Sequence, residues 1–393
     1  MGAEHLPASE FDIEELEQSL VTSDPADAPP LVQLMAPDGS LREDTKYGRY
    51  AAHLDGEALR AMYRDMALVR RFDQEATALQ RQGQLLLWPP LLGQEAAQIG
   101  SGSALEAQDY VFPTYREHGV ALTRGLELSK VLRLFRGVSN GGWDPRESNF
   151  HIYTLVLAAQ SLHAVGYAMG VQRDGDDAVT VAYFGDGASS EGDVHESMVF
   201  AASNQSPVVF FCQNNHWAIS VPTEVQSRIP LSNRASGYGF PGVRVDGNDV
   251  VAVHAVMRWA LERARSGKGP VLIEAFTYRM SAHTTADDPT KYREAAEEEK
   301  WRERDPLLRL ERYLRSTNTA GPDFFDQIAA EADKLAASTR ADVLAMEAPD
   351  FEDHFANVYA EPHPLIREEL EWHRQYQAGF AEDTAGQAEG QAR

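Results

Sequence analysis

The chain has 393 residues, a hydrophobic content of 43% and a formal net charge of −24, with 36 Lys and Arg against 60 Asp and Glu. Such acidity argues against nucleic acid and anionic membrane as partners, because both carry negative charge. The length allows one large α/β domain with appendages, or two domains.

The location of the protein is predicted from three features. The one cysteine, Cys212, cannot form a disulfide within the chain, which is typical of a reducing compartment. The acidic N-terminus lacks the basic and apolar regions of a signal peptide. The most apolar long stretch, residues 151–171, is interrupted by His151 and Gln160 and is predicted as a buried segment, not a membrane span. We expect a cytoplasmic protein of the bacterial cytosol.

The chain begins with a segment that has no regular hydrophobic period. Residues 1–50 carry scattered acids and five prolines, and are predicted as an extended arm available to pack on a partner subunit. Residues 57–82 then have the apolar spacing of a long helix. Gly83 is placed to end that helix as a C-terminal cap.

Two polar segments follow this helix. Gln94 and Glu95 are either polar groups near a substrate or ordinary first residues of a second helix. Further on, in YREH, the adjacent Tyr115 and Arg116 could clamp a phosphate by charge-assisted hydrogen bonds, although a surface salt bridge is the commoner role of such an arginine. His118 could contact substrate or be structural.

A strand–helix–strand unit occupies residues 179–220. Residues 179–184 and 207–212 are apolar strands, and residues 191–204 have helical spacing. The two strands should be parallel, so their carboxyl ends open on one edge of the sheet, where ligands of α/β sheets bind. Asp186 and Asn215 follow those ends.

The chemistry predicted at this edge is metal and phosphate binding. Carboxylate and amide oxygens suit Mg²⁺ or Ca²⁺, and Mg²⁺ commonly takes phosphate oxygens as further ligands. Gly185 and Gly187 flank Asp186 and let a ligand approach the backbone closely. Taken alone, Gly-Asp-Gly is more often an ordinary turn.

The remaining elements repeat the alternation of strand and helix. Strands are predicted at 242–246 and 271–278, with a helix between them that begins at Asn248-Asp249. This alternation indicates a doubly wound, mostly parallel sheet flanked by helices. The polar loop 279–288 contains His283, a residue that can move protons near neutral pH but is more often simply exposed. Helices are predicted at 292–314, 323–347 and 364–376, followed by a free tail.

Gly185-Asp186-Gly187 with Asn214-Asn215 at the end of the next strand resembles the thiamine diphosphate motif. Residues 55 to 375 resemble the alpha subunit of the decarboxylating component of 2-oxo acid dehydrogenase complexes. The resemblance implies the thiamine diphosphate-binding fold, with an arm at 1–50, a catalytic domain at 51–375 and a flexible tail at 376–393.

The resemblance also implies the roles of particular residues. Mg²⁺ would be bound by the side chains of Asp186 and Asn215 and by the carbonyl of Trp217, where relatives often carry Tyr or Phe. His283 would be catalytic, and Thr284 occupies a position phosphorylated in some relatives. The cofactor-binding set is Tyr115, Arg116, Leu155, Leu157, Gly185, Asp186, Gly187, Ala188, Asn215, Trp217 and His283.

Two segments depart from the family pattern. The loop 137–150 is shorter than in many relatives and lacks their Gly-Lys-Gly-Arg run and histidine, so no substrate contact is carried over from it. Branched-chain relatives often have two consecutive histidines where this chain has Ala282-His283. One imidazole is therefore available in that loop.

The implied function is oxidative decarboxylation of a 2-oxo acid, with transfer of the acyl group to the lipoyl group of an acyltransferase component. No second sheet domain is predicted to hold the acid that acts on the cofactor's pyrimidine ring, so a beta subunit would supply it in an assembly of two alpha and two beta chains. Residues 210–212 and 243–250 favour branched-chain substrates, whereas residues 80–97 are similar to bacterial pyruvate enzymes. A stand-alone thiamine decarboxylase and a non-catalytic metal-binding protein are the other hypotheses.

Overall fold

The computed structural model of the protein describes residues 29–44, 46–356 and 358–391. The strands are β1 (Tyr110–Phe112), β2 (Thr180–Gly185), β3 (Val208–Asn214), β4 (Trp217–Ala218), β5 (Val221–Pro222), β6 (Gly242–Asp246) and β7 (Val271–Phe276). The helices are α1 (Gly48–Ala51), α2 (Gly56–Arg81), α3 (Glu95–Ser103), α4 (His118–Thr123), α5 (Leu128–Arg136), α6 (Pro145–Ser148), α7 (Ala159–Asp174), α8 (Gly192–Asn204), α9 (Thr223–Gln226), α10 (Val250–Arg265), α11 (Ala295–Arg302), α12 (Pro306–Ser316), α13 (Pro322–Ala345), α14 (Asp353–Ala356) and α15 (Pro364–Gln391).

The central sheet is parallel throughout and has the strand order β1-β2-β3-β7-β6. Its three middle strands are buried almost along their whole length, as expected where helices cover both faces. The short strands β4 and β5 form a separate antiparallel hairpin directly after β3. The predicted fold class, a doubly wound and mostly parallel sheet between helices, is confirmed.

Each face of the sheet packs against its own pair of helices. Helices α7 and α8 cover one face, where small and apolar side chains such as Ala164 and Met198 meet Phe184 and Phe210 of the sheet. Helices α3 and α10 pack on each other and on the opposite face. There the hydroxyl of Tyr183 donates to Ser101 of α3 at 3.0 Å, so the second layer is fixed by hydrogen bonding as well as by apolar contact.

Part of the predicted N-terminal arm belongs to this folded body. Val32 pairs with Val245 at the outer edge of β6. The amides of Leu34 and Met35 donate to one carboxylate oxygen of Asp249 at 2.8 and 2.6 Å. Arg309 of α12 donates to the Met35 carbonyl at 3.2 Å. Residues 29–44 therefore extend the sheet edge, while the first 28 positions of the arm lie outside the described residues.

Several element ends differ from the sequence-based expectation. The charged stretch predicted as one helix over 292–314 forms two helices, α11 and α12, because Asp305 caps a new helix whose first residue is Pro306. Helix α2 ends at Arg81, and Gly83 adopts the left-handed conformation predicted for a cap.

The chain divides into two compact units, one ending at Ala345 and the other beginning at Met346. The second unit contains α14 and α15, joined by paired hydrogen bonds from Arg374 to Glu352. Helix α15 runs to Gln391, so it continues through the segment predicted as a tail. Within the described part of the chain, no helix has the length and apolar character needed to cross a membrane.

Candidate cofactor and metal site

The carboxyl ends of three neighbouring strands define the candidate site. Strand β3 lies between β2 and β7, and the segments that follow all three strands turn toward the same edge. A cavity of about 280 Å³ opens there. Its lining includes these members of the predicted set: Tyr115, Arg116, Leu157, Gly185, Asp186, Gly187, Ala188, Asn215, Trp217 and His283.

One predicted cofactor residue lies elsewhere. Leu155 is not part of the cavity lining, and its side chain is 58% exposed. Leu157, two positions later, does line the cavity while remaining partly exposed. The structure therefore brings one of these two leucines into the site, and the assignment of Leu155 stays a prediction that this geometry does not support.

Glycine occurs at the two positions beside Asp186 for different structural reasons. At Gly187, an added Cβ would lie 2.6 Å from the Cβ of Ala218, so only glycine lets β4 approach this closely. At Gly185 the same test meets no atom within 4 Å. Its missing side chain leaves open space at the cavity wall, which matches the predicted close approach of a ligand to the backbone.

Asp186 is the buried carboxylate of the site, with 2% of its surface exposed. The hydroxyl of Thr223 donates to its Oδ2 atom at 2.7 Å. Burial raises the pKa of Asp186, although this hydrogen bond and the nearby charge of Arg279 act in the opposite direction. A cation beside this carboxylate would offset the cost of keeping it charged in a buried position. Sequence reasoning missed Thr223, which begins the one-turn helix α9 and carries no motif.

The two consecutive asparagines have separate partners. The amide of Asn214 donates to Glu274 inside the sheet at 2.7 Å. Asn215 lines the cavity, and its amide donates to Gln94 at 3.1 Å. Gln94 is itself buried, and its own Nε2 atom finds no acceptor among the described residues. Gln94 lines the cavity and also immediately precedes α3, so its position is compatible with both roles predicted for it.

The carbonyl of Trp217 accepts a hydrogen bond from an arginine side chain. The guanidinium of Arg279 donates to the carbonyl oxygens of Trp217 and Ile219 at 2.7 and 2.8 Å. The predicted third metal ligand therefore faces Arg279 in this structure. Arg279 follows β7 directly, so the rule that ligands gather at carboxyl strand ends could have identified it.

The residues present fit a divalent cation and a diphosphate. Asp186, Asn215 and Thr223 offer carboxylate, amide and hydroxyl oxygens, which are the donor types that Mg²⁺ accepts. In the described part of the chain no group of three or more His, Cys, Asp or Glu side chains is arranged to hold a metal. Asp186 is the one carboxylate among these three oxygen donors, and Mg²⁺ held by one carboxylate usually completes its coordination with phosphate oxygens and water.

A positive pole formed by Arg116, Arg279 and the loop of His283 lies beside this oxygen cluster. Arg116 donates to the carbonyls of Pro90 and His283, the latter at 2.9 Å. Neither arginine forms an ion pair with a carboxylate of the described residues. Two buried guanidiniums without a counter-ion favour an anionic ligand.

Burial and the same two arginines keep His283 neutral. Burial and then the positive charges of Arg116 and Arg279 lower the pKa of His283 to about 3. Each guanidinium lies 3.4 Å from the Nδ1 atom, which can only accept, so the proton of the neutral ring is on Nε2. The pKa of His283 therefore lies well below the ordinary histidine value of about 6.5.

A buried glutamate fixes the turn that carries Tyr115 and Arg116. Glu117 is 1% exposed, and its Oε2 atom accepts hydrogen bonds from the amide and hydroxyl of Thr114, both at 2.7 Å. Its Oε1 atom accepts from Gln213 at 2.7 Å. Burial raises the pKa of Glu117. These bonds tie the turn of Tyr115 and Arg116 to β3, a connection that the sequence did not reveal.

His118, predicted either to contact substrate or to be structural, is structural. Its ring is fully buried and stacks on Trp88 with ring centroids 4.3 Å apart. Its Nδ1 atom is 2.8 Å from the hydroxyl of Tyr153. Burial lowers the pKa of His118 to about 3, so the ring is neutral.

Comparison with known proteins identifies the family of this chain. A sequence model of the family described as "Dehydrogenase E1 component" matches residues 63–349. The chain belongs to that family, and the resemblance inferred from the Gly-Asp-Gly and Asn-Asn segments is confirmed.

Its similar relatives are alpha subunits. The chain is 45% identical over 343 residues to the 3-methyl-2-oxobutanoate dehydrogenase subunit alpha of Mycobacterium tuberculosis, covering 86% of this chain and 92% of the relative. It is 37% identical over 335 residues to the pyruvate dehydrogenase E1 component subunit alpha of Acholeplasma laidlawii, covering 83% and 95%. The corresponding subunit of Staphylococcus aureus is 38% identical over 293 residues, covering 74% and 79%.

Proposed function

We propose that this chain is the alpha subunit of a 2-oxo acid dehydrogenase that uses thiamine diphosphate and Mg²⁺ and acts on branched-chain 2-oxo acids. The observation that carries the proposal is the cavity at the carboxyl edge of the sheet, where the buried carboxylate of Asp186 and the guanidinium of Arg116 share one lining and Arg279 lies close to both Asp186 and His283. The high identity to a 3-methyl-2-oxobutanoate dehydrogenase alpha subunit supports the substrate class.

Each residue type in the cavity has a distinct proposed task. Asp186, Asn215 and the Trp217 carbonyl would hold Mg²⁺, with the Thr223 hydroxyl beside them. Tyr115, Arg116 and Gln94 would bind the diphosphate, and Gly185, Gly187 and Ala188 would let it approach the backbone. When bound, thiamine diphosphate supplies the carbanion chemistry needed to decarboxylate a 2-oxo acid.

His283 is proposed to move a proton, and its surroundings suggest how its basicity is controlled. Burial and, after it, the charges of Arg116 and Arg279 keep the imidazole neutral. An anion that pairs with both arginines would offset the repulsive part of this effect and raise the pKa of His283. The proton carrier would then become competent only after the site has taken up its anionic ligand.

The alpha chain is proposed to provide half of an active site. A beta subunit would supply the acid that acts on the pyrimidine ring, in an assembly of two alpha and two beta chains. The acyl group would pass to a lipoyl group on an acyltransferase component. The alpha-subunit names of the relatives support a partner chain.

Two measurements test this function. The purified chain with thiamine diphosphate and Mg²⁺ should not decarboxylate any 2-oxo acid, whereas the co-expressed pair of alpha and beta chains should. With the pair, kcat/KM for 3-methyl-2-oxobutanoate should exceed that for pyruvate by about 10-fold or more, since each methylene group in an apolar pocket discriminates by about that factor. Activity of the chain alone would favour a stand-alone decarboxylase, and preference for pyruvate would favour the alternative named by the relatives of lower identity.

A further inference from the structure

A second and larger cavity lies beside the hairpin β4–β5. Its volume is about 780 Å³, and its lining shares only Trp217 with the lining of the cofactor cavity. The hairpin segment, α9 and the loop after α9 form one side, and β6, β7 and the residues before and within α11 form the other. Trp217 and Thr223 are the two residues of this lining that also belong to the proposed metal site, and the other lining residues have no role in the proposed function.

Two arginines in this lining are incompletely paired: Arg244 has one long ion pair, and Arg228 has none with a described residue. The guanidinium of Arg244 lies 3.9 Å from the centre of the Phe276 ring, and its buried Nε atom has no acceptor among the residues that the structure describes. The nearest carboxylate oxygen, Oε1 of Glu274, is 3.8 Å away from Nε. Both oxygens of Glu274 already accept from Asn214 and Ser232. Arg228, on the exposed side, forms no ion pair with a described residue.

The acidic lining faces these arginines. Glu224, Glu294 and Glu297 line the cavity together with Glu274, so four carboxylates face two guanidiniums. A simple anion would be repelled by the excess of negative charge, and a simple cation would leave the Arg244 donors unused. A ligand with one carboxylate and one ammonium group satisfies both sets.

The remaining lining is apolar. Pro222, Ile229, Leu231 and Phe276 provide hydrocarbon and ring surfaces next to the charged groups. The cavity volume is within the range of small-molecule sites, which combine apolar walls with a few placed polar groups. An apolar side chain on the ligand would contact these walls.

We propose that this cavity binds a free α-amino acid with an apolar side chain. The carboxylate pairs with Arg244 and Arg228, the ammonium group with Glu294 and Glu297, and the side chain packs on Ile229 and Phe276. The site is separate from the cofactor cavity and does not depend on the function proposed for it. Because Trp217 belongs to both linings, ligand binding is expected to change the fluorescence of this residue.

The test is calorimetric titration of leucine into the full-length chain, alone and co-purified with its partner subunit, without thiamine diphosphate. Saturable binding is expected in both cases. Leucinamide lacks the carboxylate and 4-methylpentanoate lacks the ammonium group, so each should bind about 10-fold more weakly or worse, as expected when a hydrogen-bonded charge is lost. Glycine, which has no apolar side chain, should also bind more weakly.

Variants locate the binding site. Arg244→Leu keeps apolar packing on Phe276 but removes the hydrogen-bond donors. Arg228→Ala and Glu297→Gln change more accessible positions. Each of the three variants should bind leucine about 10-fold more weakly. Arg146→Ala, which removes an exposed arginine paired with Asp144, is the matched control and should bind leucine as wild type does. Unfolding midpoints measured for every variant identify those that fail to fold.

The proposal is overturned if leucine does not bind the wild-type chain, or if the folded Arg228 and Glu297 variants bind it like the control. Binding to the isolated chain that disappears in the complex also overturns it, because the partner would then occupy the cavity. None of these outcomes depends on decarboxylation, so failure here is distinguishable from failure of the proposed function.

Discussion

Replacing Asp186 by asparagine should separate metal binding from folding. The variant keeps the shape of the side chain and an oxygen that can accept from Thr223, but it removes the one charged oxygen ligand proposed for Mg²⁺. The affinity for Mg²⁺ and thiamine diphosphate should therefore fall together. The free energy of unfolding should not fall, because the charged carboxylate is the group whose burial costs the most hydration free energy.

The expected size of the effect follows from the position of this carboxylate. Changes to groups that only orient a metal ligand typically cost 10–100-fold in affinity. Loss of the charged ligand itself should exceed about 100-fold, which corresponds to more than about 2.8 kcal/mol of binding free energy. The free energy of unfolding of the metal-free chain should stay constant or rise, since burial raises the pKa of Asp186 and so opposes its charged form.

The assay is calorimetric titration of thiamine diphosphate and Mg²⁺ into the co-expressed complex, with thermal unfolding of the ligand-free chain measured in parallel. Asp176→Asn, at an exposed position before β2, is the matched control and should change neither quantity. Wild-type affinity in Asp186→Asn would refute the metal assignment. A large loss of stability in the ligand-free variant would show instead that the carboxylate has a structural role.

Three other changes should have equally specific results. Gly187→Ala should lower the free energy of unfolding by about 1–3 kcal/mol in chemical denaturation, because the added Cβ would meet Ala218. Gly185→Ala should leave the free energy of unfolding unchanged and weaken only cofactor binding. Equal stability of the two variants would contradict this expectation. His283→Asn should slow acyl transfer to lipoyl by about 10²–10⁴-fold and decarboxylation with an artificial electron acceptor much less, and an equal fall in both rates would mean that the ring acts earlier. One oxygen of Asp73 accepts hydrogen bonds from Trp88 and Leu91, and burial raises the pKa of Asp73 from 3.8 to about 7. The folded state therefore holds the carboxyl proton more tightly than the unfolded state does. The free energy of unfolding falls as the pH rises through that range. Asp73→Asn should remove this slope and gain about 3 kcal/mol relative to wild type between pH 4 and pH 7. Parallel stability curves would show that Asp73 is already ionised in the fold.

The sequence predicted the elements that carry strong local signals. The strand–helix–strand unit around Asp186 has β-branched strands, a helical period and a glycine pair, and the structure has β2, α8 and β3 at those positions. Parallel pairing then requires that Asp186 and Asn215 meet at one edge, and both line one cavity. The strand order and parallel pairing of the sheet therefore bring most of the predicted cofactor-binding residues to one cavity.

What the sequence could not provide was the electrostatics between distant segments. Arg116 and Arg279 are far apart in the chain, and only the fold places both beside His283 and lowers its pKa. Thr223, the first residue of the one-turn helix α9, contacts Asp186, and Gln94, directly before α3, contacts Asn215. No regular period in the sequence marks either position. The side-chain direction of Leu155 likewise depended on how an irregular segment turns, and spacing alone could not fix it.

The docking of residues 29–44 on the edge of β6 has a consequence for synthesis of the chain. Leu34 can form its hydrogen bond to Asp249 only after a further 215 residues have been synthesised. Met35 also requires Arg309, which is synthesised later still. At roughly 5–20 residues per second, the ribosome needs about 10–40 s to make the partner of Leu34. The completed edge then no longer offers Arg244 and Asp246 backbone groups to a neighbouring chain, because Val32 bonds with both. A chain shortened to begin after residue 44 would keep the cofactor cavity but expose this strand edge, and aggregation during expression would be its expected defect.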